Sequence, residues 1–246
     1  MNIWTIILTV IIVLFIVTLL YISTESKRYN FYNVDDIFPE LRTIHSRRNA
    51  IMSELTTVLN DPKNWEYWPE KKLYNGPHGS DWKIFPFYAD FQHSAGVYAE
   101  DNCKKMPVLS SFIKSLPNLK LATISKLSPG MKLKPHRGWG NHSNNVLRCH
   151  YGLIVPTLPN GKSYCYIDVN GQKQYHKEDD WMVFDDSEMH MAENQSDKDR
   201  VVLIIDIVRP TTYKGNPLPI GTSNAGDTKE LVDIVKYFKQ RQLTKD

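Results

Sequence analysis

Cysteine is scarce in this chain. Its 246 residues include only Cys103, Cys149 and Cys165, too few and too irregularly spaced for a disulfide framework or a zinc knuckle. Cys149 and Cys165 sit in apolar runs and read as small buried hydrophobes. The odd count favours a reducing compartment for the folded part. Blocks of like charge are missing too. The net charge is +3, with lysines and arginines scattered among acids, so no nucleic-acid partner is expected. No internal repeat and no low-complexity linker interrupts the sequence, which leaves one domain after the N-terminal run. That run has no basic residue before it and no small-residue cleavage site after it, which excludes a cleaved signal peptide.

What is present begins with the run itself. Residues 3–22 carry no charge, and an apolar helix of roughly 20 residues is long enough to cross a hydrocarbon core. Trp4 and Tyr21 stand near its ends, where such rings settle at headgroups. The expected organisation is a transmembrane anchor over 1–24, a juxtamembrane linker over 25–37 and one domain over 38–246. Lys27 and Arg28 follow the run, which favours a single-pass protein with its domain on the cytoplasmic side. The sequons at Asn141 and Asn194 point the same way, because glycans there would obstruct the candidate site.

From Phe38, the positions of Leu41, Ile44, Ile51, Leu55 and Val58 predict a helix with one apolar face, ended by Asp61-Pro62. Trp82 to Tyr88 reads as a strand with a proline near its edge. Further helices are expected over Met106–Ser115 and Asp227–Gln242. After Leu119 the pattern turns to short strands, with a turn at Ser128–Gly130 and a tight hairpin at Asn170-Gly171. The fold class is mainly β with flanking helices, a sandwich or jelly roll of cupin type.

The chemistry lies in two stretches. The first, K-P-H-R-G-W-G-N-H-S-N-N-V-L-R-C-H-Y-G-L-I-V-P, places His136, His142, Arg148 and His150 beside a buried strand. The second, F-D-D-S-E-M-H followed by D-R-V-V-L-I-I-D-I-V-R-P, carries His190 and Arg200. His136 and His190 sit at strand ends that a jelly roll can bring to one mouth, and paired neutral imidazoles suit a divalent transition metal. Arg200 heads an apolar strand, where a guanidinium is costly unless a carboxylate meets it. Pairing with Asp197 or Asp199 at a strand edge is the plainer alternative. Arg148 and His150 share strand parity and face one side, Cys149 the other. Asp185 and Asp186 read as shaping the turn that presents His190. His142 and His176 read as exposed polar residues, and Asp168 as a solvated strand residue.

These motifs, with S-K-L-S-P-G upstream, resemble the aspartyl/asparaginyl β-hydroxylase family of iron(II)- and 2-oxoglutarate-dependent dioxygenases, from about Leu121 to Pro210. Weaker similarity extends back through D-W-K-I-F-P-F-Y and I-F-P-E-L. The resemblance implies a double-stranded β-helix, with His136 and His190 as iron ligands. It implies Ser125, Arg148, His150 and Arg200 around 2-oxoglutarate, with Trp82 as a wall of that pocket. It also implies dioxygen as co-substrate, ascorbate as a supporting reductant, and hydroxylation of an unactivated C–H bond. Most related oxygenases carry an acid two residues after the first histidine. Gly138 stands there, which leaves water to fill that position, as in members that hydroxylate peptidyl Asp or Asn. The I-F-P-E-L entry, the apolar run and A-E-N-Q-S-D-K-D-R are similar to members that hydroxylate lipid A acyl chains, which carry the acid. The implied partner is therefore a peptide or protein first, a membrane lipid second. A non-catalytic metal- or carboxylate-binding module is the alternative of another class, and retention of both histidines and Arg200 argues against it.

Overall fold

Short strands punctuated by turn residues pair mainly with distant partners. In the computed structural model the described strands form two larger antiparallel sheets and a separate two-stranded hairpin. The structure describes residues 2–23, 27–74, 81–90 and 96–226, the side chains of 16–23 excepted. The C-terminal helix expected over 227–242 lies outside the described residues. The chain divides into two compact units, residues 1–28 with 210–219, and 29–209 with 220–246.

The first unit holds an α-helix, Ile3–Ser23, and a hairpin of Thr212–Tyr213 with Asn216–Pro217. The charge-free run is thus helical, and its large apolar side chains from Ile3 to Phe15 are exposed. Among the described residues no helix is long and apolar enough to cross a membrane.

The second unit carries strands β1 (Phe31–Tyr32), β2 (Glu66–Tyr67), β3 (Trp82–Ala89), β4 (Val97–Tyr98), β5 (Leu119–Leu127) and β6 (Val146–Ile154). These are followed by β7 (Cys165–Val169), β8 (Gln172–Tyr175), β9 (Trp181–Phe184), β10 (His190–Asn194) and β11 (Arg200–Val208). Among the described residues the larger sheet runs β1-β9-β6-β11-β5-β3-β2, with β4 also on β3, and the smaller runs β10-β7-β8. Ile84, Leu127, Val202, Ile204, Met182 and Phe184 of the larger sheet share one core with Ile167, Val169 and Ala192 of the smaller. Two antiparallel sheets closed over one core make a jelly roll. Asn170 and Gly171 both take positive φ, +50° and +83°, as the two-residue turn between β7 and β8 requires.

The outer face of the larger sheet is as dry as the inner. Phe85, Phe87, Ile124, Cys149, Leu203 and Ile205 are all fully buried, which is why β6 and β11 read as continuous apolar runs. A helical layer accompanies that face. Leu41, Ile44, Ile51, Leu55 and Val58 are buried as their spacing predicts, each contributing on the order of 2 kcal/mol. The first half of that element is a 3₁₀ helix, Pro39–Arg47, and only Arg48–Leu59 is α-helical. Trp181 Nε1 donates to the Leu41 carbonyl at 3.1 Å, tying this layer to β9. The helix expected at Met106–Ser115 runs Pro107–Ser115, preceded by a short one over Glu100–Lys105 that packs on β3.

Two boundaries differ from expectation. Part of the stretch expected as linker, residues 31–37, is folded into the second unit: β1 pairs with β9, and Val34–Ile37 is a helical turn capped by Asn33. Both pieces are too short to show a period. Pro86 lies mid-strand, where pairing with β5 slips between Pro86 and Tyr88. The slip accommodates the missing N–H.

Candidate active site

Register decides which side chains meet. On the larger sheet Arg200 lies opposite Leu127, Val202 opposite Ser125, and Ile204 opposite His150. Trp82 also lies opposite Leu127. Alternation then turns Trp82, Ser125, Arg148, His150 and Arg200 to the inner face. From the other sheet, His190 opens β10, and the His136 segment pairs with it through reciprocal 2.9 Å backbone hydrogen bonds. All seven candidate residues, Trp82, Ser125, His136, Arg148, His150, His190 and Arg200, line one cavity closed by Leu133, Ile167, Phe184, Ala192 and Ile204.

The two mouth histidines are oriented alike. His136 Nδ1 lies 2.7 Å from the Lys134 carbonyl, and His190 Nδ1 lies 2.9 Å from that of Glu188. A carbonyl only accepts, so each Nδ1 carries the proton and each Nε2 keeps its lone pair. The ring centroids are 4.3 Å apart. Burial pushes the imidazole of His136 down to about 3 and that of His190 down to about 4. Both rings are therefore neutral at physiological pH, the form that ligates a metal.

Gly138 explains the missing acid. A Cβ built there would fall 1.9 Å from Asp186 Oδ2 and 2.7 Å from Ser143 Cβ. The space that an acid at 138 would need is already occupied by a carboxylate from the β9–β10 turn. Asp186 Oδ1 stands 3.4 Å from His190 Nε2, and Oδ2 is buried without a hydrogen-bond partner. Burial pushes this carboxyl up, the Arg148 guanidinium pulls it down, and Asp206 repels it. Asp186 does more than shape a turn. Among the described residues no group of three or more His, Cys, Asp or Glu side chains is gathered to hold a metal. The site offers two imidazoles with a carboxylate behind them.

At the other end, Arg200 is 1% exposed, and its Nε and Nη1 have no hydrogen-bond partner. The edge pairing with Asp197 or Asp199 does not occur, and Asp199 instead faces Lys126 at 3.9 Å. Burial pulls the guanidinium down to about 10. Ser125 Oγ accepts from Trp82 Nε1 at 2.9 Å, which leaves its own O–H to donate. Trp82 is held in turn by a 4.3 Å stack on Trp68, whose other face stacks on Trp139 at 5.5 Å.

A family model described as aspartyl/asparaginyl beta-hydroxylase matches residues 45–210. The chain belongs to this hydroxylase family. An ornithine lipid ester-linked acyl 2-hydroxylase from Rhizobium tropici is 40% identical over 129 residues, 52% of this chain and 42% of that protein. A human aspartate beta-hydroxylase domain-containing protein 2 is 34% identical over 180 residues, 70% of this chain and 45% of that protein. The chain thus spans under half the length of these relatives. A solved oxidoreductase of the 2OG-Fe(II) oxygenase family from Burkholderia pseudomallei gives a TM-score of 0.41 at 9% identity, over 71% of this chain and 80% of that one, a loose likeness.

Around the hydroxylase-family residues runs a buried polar network that is only partly visible in sequence. Arg148 donates from Nε and Nη2 to Asp206 at 2.8 Å each, and from Nη1 to Asp186 at 2.6 Å. Asp206 also meets His142 Nε2 at 2.8 Å. Arg148 holds the Asp206 carboxyl well below the usual carboxylate range despite its burial. His142 and His176, expected to be exposed, are buried at 9% and 2% exposure. Their partners lie on other elements, which sequence spacing does not reveal. Asp206 had a usable signal: a carboxylate inside V-V-L-I-I-D-I-V needs a cation, and Arg148 lies directly opposite it. Glu70 had none. It is buried beside the tryptophan stack, accepts from Trp68 Nε1 at 3.3 Å, and is pushed up by burial. Asp185, expected to shape the turn, caps Ser187 and also pairs bidentately with buried Arg209. Asp168 accepts from Gly171 N in the hairpin, on a half-buried strand position. Of the sequons, Asn141 is exposed, but Asn194 is fully buried and donates to the Leu127, Ser128 and Lys198 carbonyls. The folded protein has no room for a glycan at Asn194.

Proposed function

We propose that this chain is an iron(II)- and 2-oxoglutarate-dependent hydroxylase of an unactivated C–H bond. One observation carries the reading. Two imidazole lone pairs and an unpartnered buried guanidinium face the same cavity, and a cation chelated by a keto-diacid would answer all three. The donors fit a ferrous ion: neutral imidazoles hold it and leave positions open. Such an ion would supply the dioxygen and radical chemistry. The chain's own residues bind, orient and exclude water. His136 and His190 would hold the metal through their Nε2 lone pairs, with the Asp186 carboxylate 3.4 Å behind His190 Nε2. Arg200 grips the distal carboxylate of 2-oxoglutarate through its planar fork, and Ser125 donates a hydrogen bond to it. Arg148 keeps two of its five N–H groups uncommitted for the metal-bound end. Trp82 and Phe184 keep the pocket dry.

The substrate we infer first is the β-carbon of a peptidyl Asp or Asn, supported by family membership and by Gly138 in place of an acid. Hydroxylation of a lipid acyl chain is the second reading. The ornithine lipid hydroxylase relative favours it, as does the exposed apolar surface of the N-terminal helix, which suits contact with lipid.

The test uses the full chain in detergent with iron(II), ascorbate and 2-oxoglutarate. Succinate should form, and His136→Ala with His190→Ala should abolish it. Succinate formation that survives the double substitution would remove the metal-site assignment. No succinate from the intact chain with any substrate would favour the non-catalytic binding module. Mass spectrometry of peptide and lipid substrates for a gain of one oxygen separates the two substrate readings.

A further inference from the structure

His176 follows β8 in a polar stretch, K-Q-Y-H-K, yet it is 2% exposed. Its ring lies nearly parallel to that of His150 and edge to edge with it, centroids 5.4 Å apart and planes 12° off parallel. His150 Nδ1 lies 3.1 Å from His176 Nε2. The outer nitrogens, His150 Nε2 and His176 Nδ1, are buried and have no hydrogen-bond partner. His150 lines the cavity that also holds Arg200. Burial holds both imidazoles well below their ordinary value, reinforced by the Arg200 charge, so each ring carries one proton.

The contact between the rings then admits two arrangements. If His150 Nδ1 carries the proton, His150 Nε2 points a lone pair at the cavity. If His176 Nε2 carries it, His150 Nε2 is an N–H donor. A carboxylate only accepts, so beside Arg200 the first arrangement sets lone pair against lone pair and the second adds a hydrogen bond. The Cys165 carbonyl acts on the His176 ring and favours the first arrangement, but it already accepts the His176 backbone N–H at 2.9 Å and His176 Nδ1 makes no hydrogen bond to it. A carboxylate at Arg200, carrying a full charge, would outweigh it.

We propose that His176 is a positioning residue: its Nε2–H donates to His150 Nδ1 and thereby makes His150 Nε2 a donor to the carboxylate gripped by Arg200. This rests on the reading of a carboxylate co-substrate at Arg200. His176 touches no ligand itself. It fixes the tautomer of the residue that does, as a backbone carbonyl fixes His136 and His190.

The experiment measures 2-oxoglutarate affinity by calorimetry on the full chain in detergent, loaded with manganese(II) and kept free of oxygen. His176→Phe keeps a flat ring at the position and removes the N–H. His176→Gln restores an amide N–H near the same point. The expected result is about tenfold or greater weakening for His176→Phe, with His176→Gln within about threefold of the parent. In the metal-free parent with saturating 2-oxoglutarate, ¹⁵N-histidine spectra should show His150 protonated at Nε2 and bare at Nδ1. Unchanged affinity in His176→Phe, or a protonated His150 Nδ1 in the bound state, would overturn the proposal. Arg200→Met separates the two layers of the argument. If it binds 2-oxoglutarate as the parent does, the carboxylate reading itself fails. If it loses binding while His176→Phe keeps it, only the role of His176 fails. Should His176→Phe not fold, the spectra of the parent chain decide.

Discussion

Arg200→Met should make the ligand-free protein more stable while destroying its use of 2-oxoglutarate. The guanidinium is 1% exposed, two of its nitrogens have no partner, and burial draws it from its ordinary, higher range down to about 10. At about 1.4 kcal/mol per pH unit, keeping that charge in the fold costs about 3 kcal/mol. The sign follows from proton linkage. The unfolded chain takes up its proton at the ordinary, higher pH and the folded chain only near 10, so stability is lost as pH falls across that window. The loss is complete at neutral pH. Methionine fills similar volume without charge, and replacing a poorly compensated buried ion in this way typically stabilises by about 1–4 kcal/mol. Losing a fork that binds a carboxylate in a dry site costs about 2–5 kcal/mol of affinity, roughly 30-fold to several thousand-fold. Urea unfolding of the metal-free full chain in a mild detergent measures the first effect, and calorimetric titration with 2-oxoglutarate the second. An Arg200→Met protein that unfolds at lower urea than the parent, or one that binds the keto-diacid unchanged, would refute the reasoning.

Three further outcomes are expected. Gly138→Asp alone should destabilise by about 1–3 kcal/mol through overpacking, because its Cβ would fall on Asp186 Oδ2; adding Asp186→Gly should recover most of that loss, and additive losses in the double variant would count against the shared space. Asp206→Asn should cost about 3–5 kcal/mol, since it breaks the bidentate partner of buried Arg148; a shift below about 1 kcal/mol in chemical unfolding would show the network to be dispensable. The metal-free protein should lose stability as pH falls below 6.5, because the unfolded chain binds protons that His190, His150 and His176 refuse. Each ring adds up to about 1.4 kcal/mol per pH unit until its own lowered value is reached, near 4 for His190. Equal urea midpoints at pH 7 and pH 5 would contradict this.

Much of the site was legible because β6 and β11 are buried on both faces. In such strands nearly every residue is apolar, so Arg148, His150 and Arg200 stood out, and parity turned them to one side. His136 and His190 were legible as strand-end residues, though their convergence is set by how the smaller sheet closes over the larger. What spacing did not carry was partnership between side chains far apart in sequence. His142 meets Asp206 from 64 positions away, and His150 meets His176 from 26. Gly138 was legible as a missing acid but not as a vacated volume, because a glycine's meaning here lies in the Asp186 carboxylate that occupies the room. The single apolar face from Leu41 to Val58 was right about burial and silent about the 3₁₀ turn, since both helix types bury residues at such spacing over a few turns.

The arrangement of charge inside the cavity supports the direction in which a keto-diacid would lie. Buried cations here are matched with care: Arg148 faces both Asp186 and Asp206, and Arg209 faces Asp185. Those three carboxylates outnumber the two guanidiniums, and the surplus falls on Asp186, whose Oδ2 is unpartnered beside the His190 imidazole. Arg200 shows the opposite imbalance, a buried cation that forms no ion pair among the described residues. A buried guanidinium without a counter-charge, like a buried carboxylate oxygen without a donor, is costly. Two charges of the complementary pattern relieve both together: a divalent cation between the imidazoles, next to the surplus carboxylate, and a carboxylate at Arg200. A single metal ion leaves Arg200 unanswered, and a single acid leaves Asp186 unanswered. This charge pattern supports the proposed chelate, in which the metal would sit at His136 and His190 and the far carboxylate at Arg200.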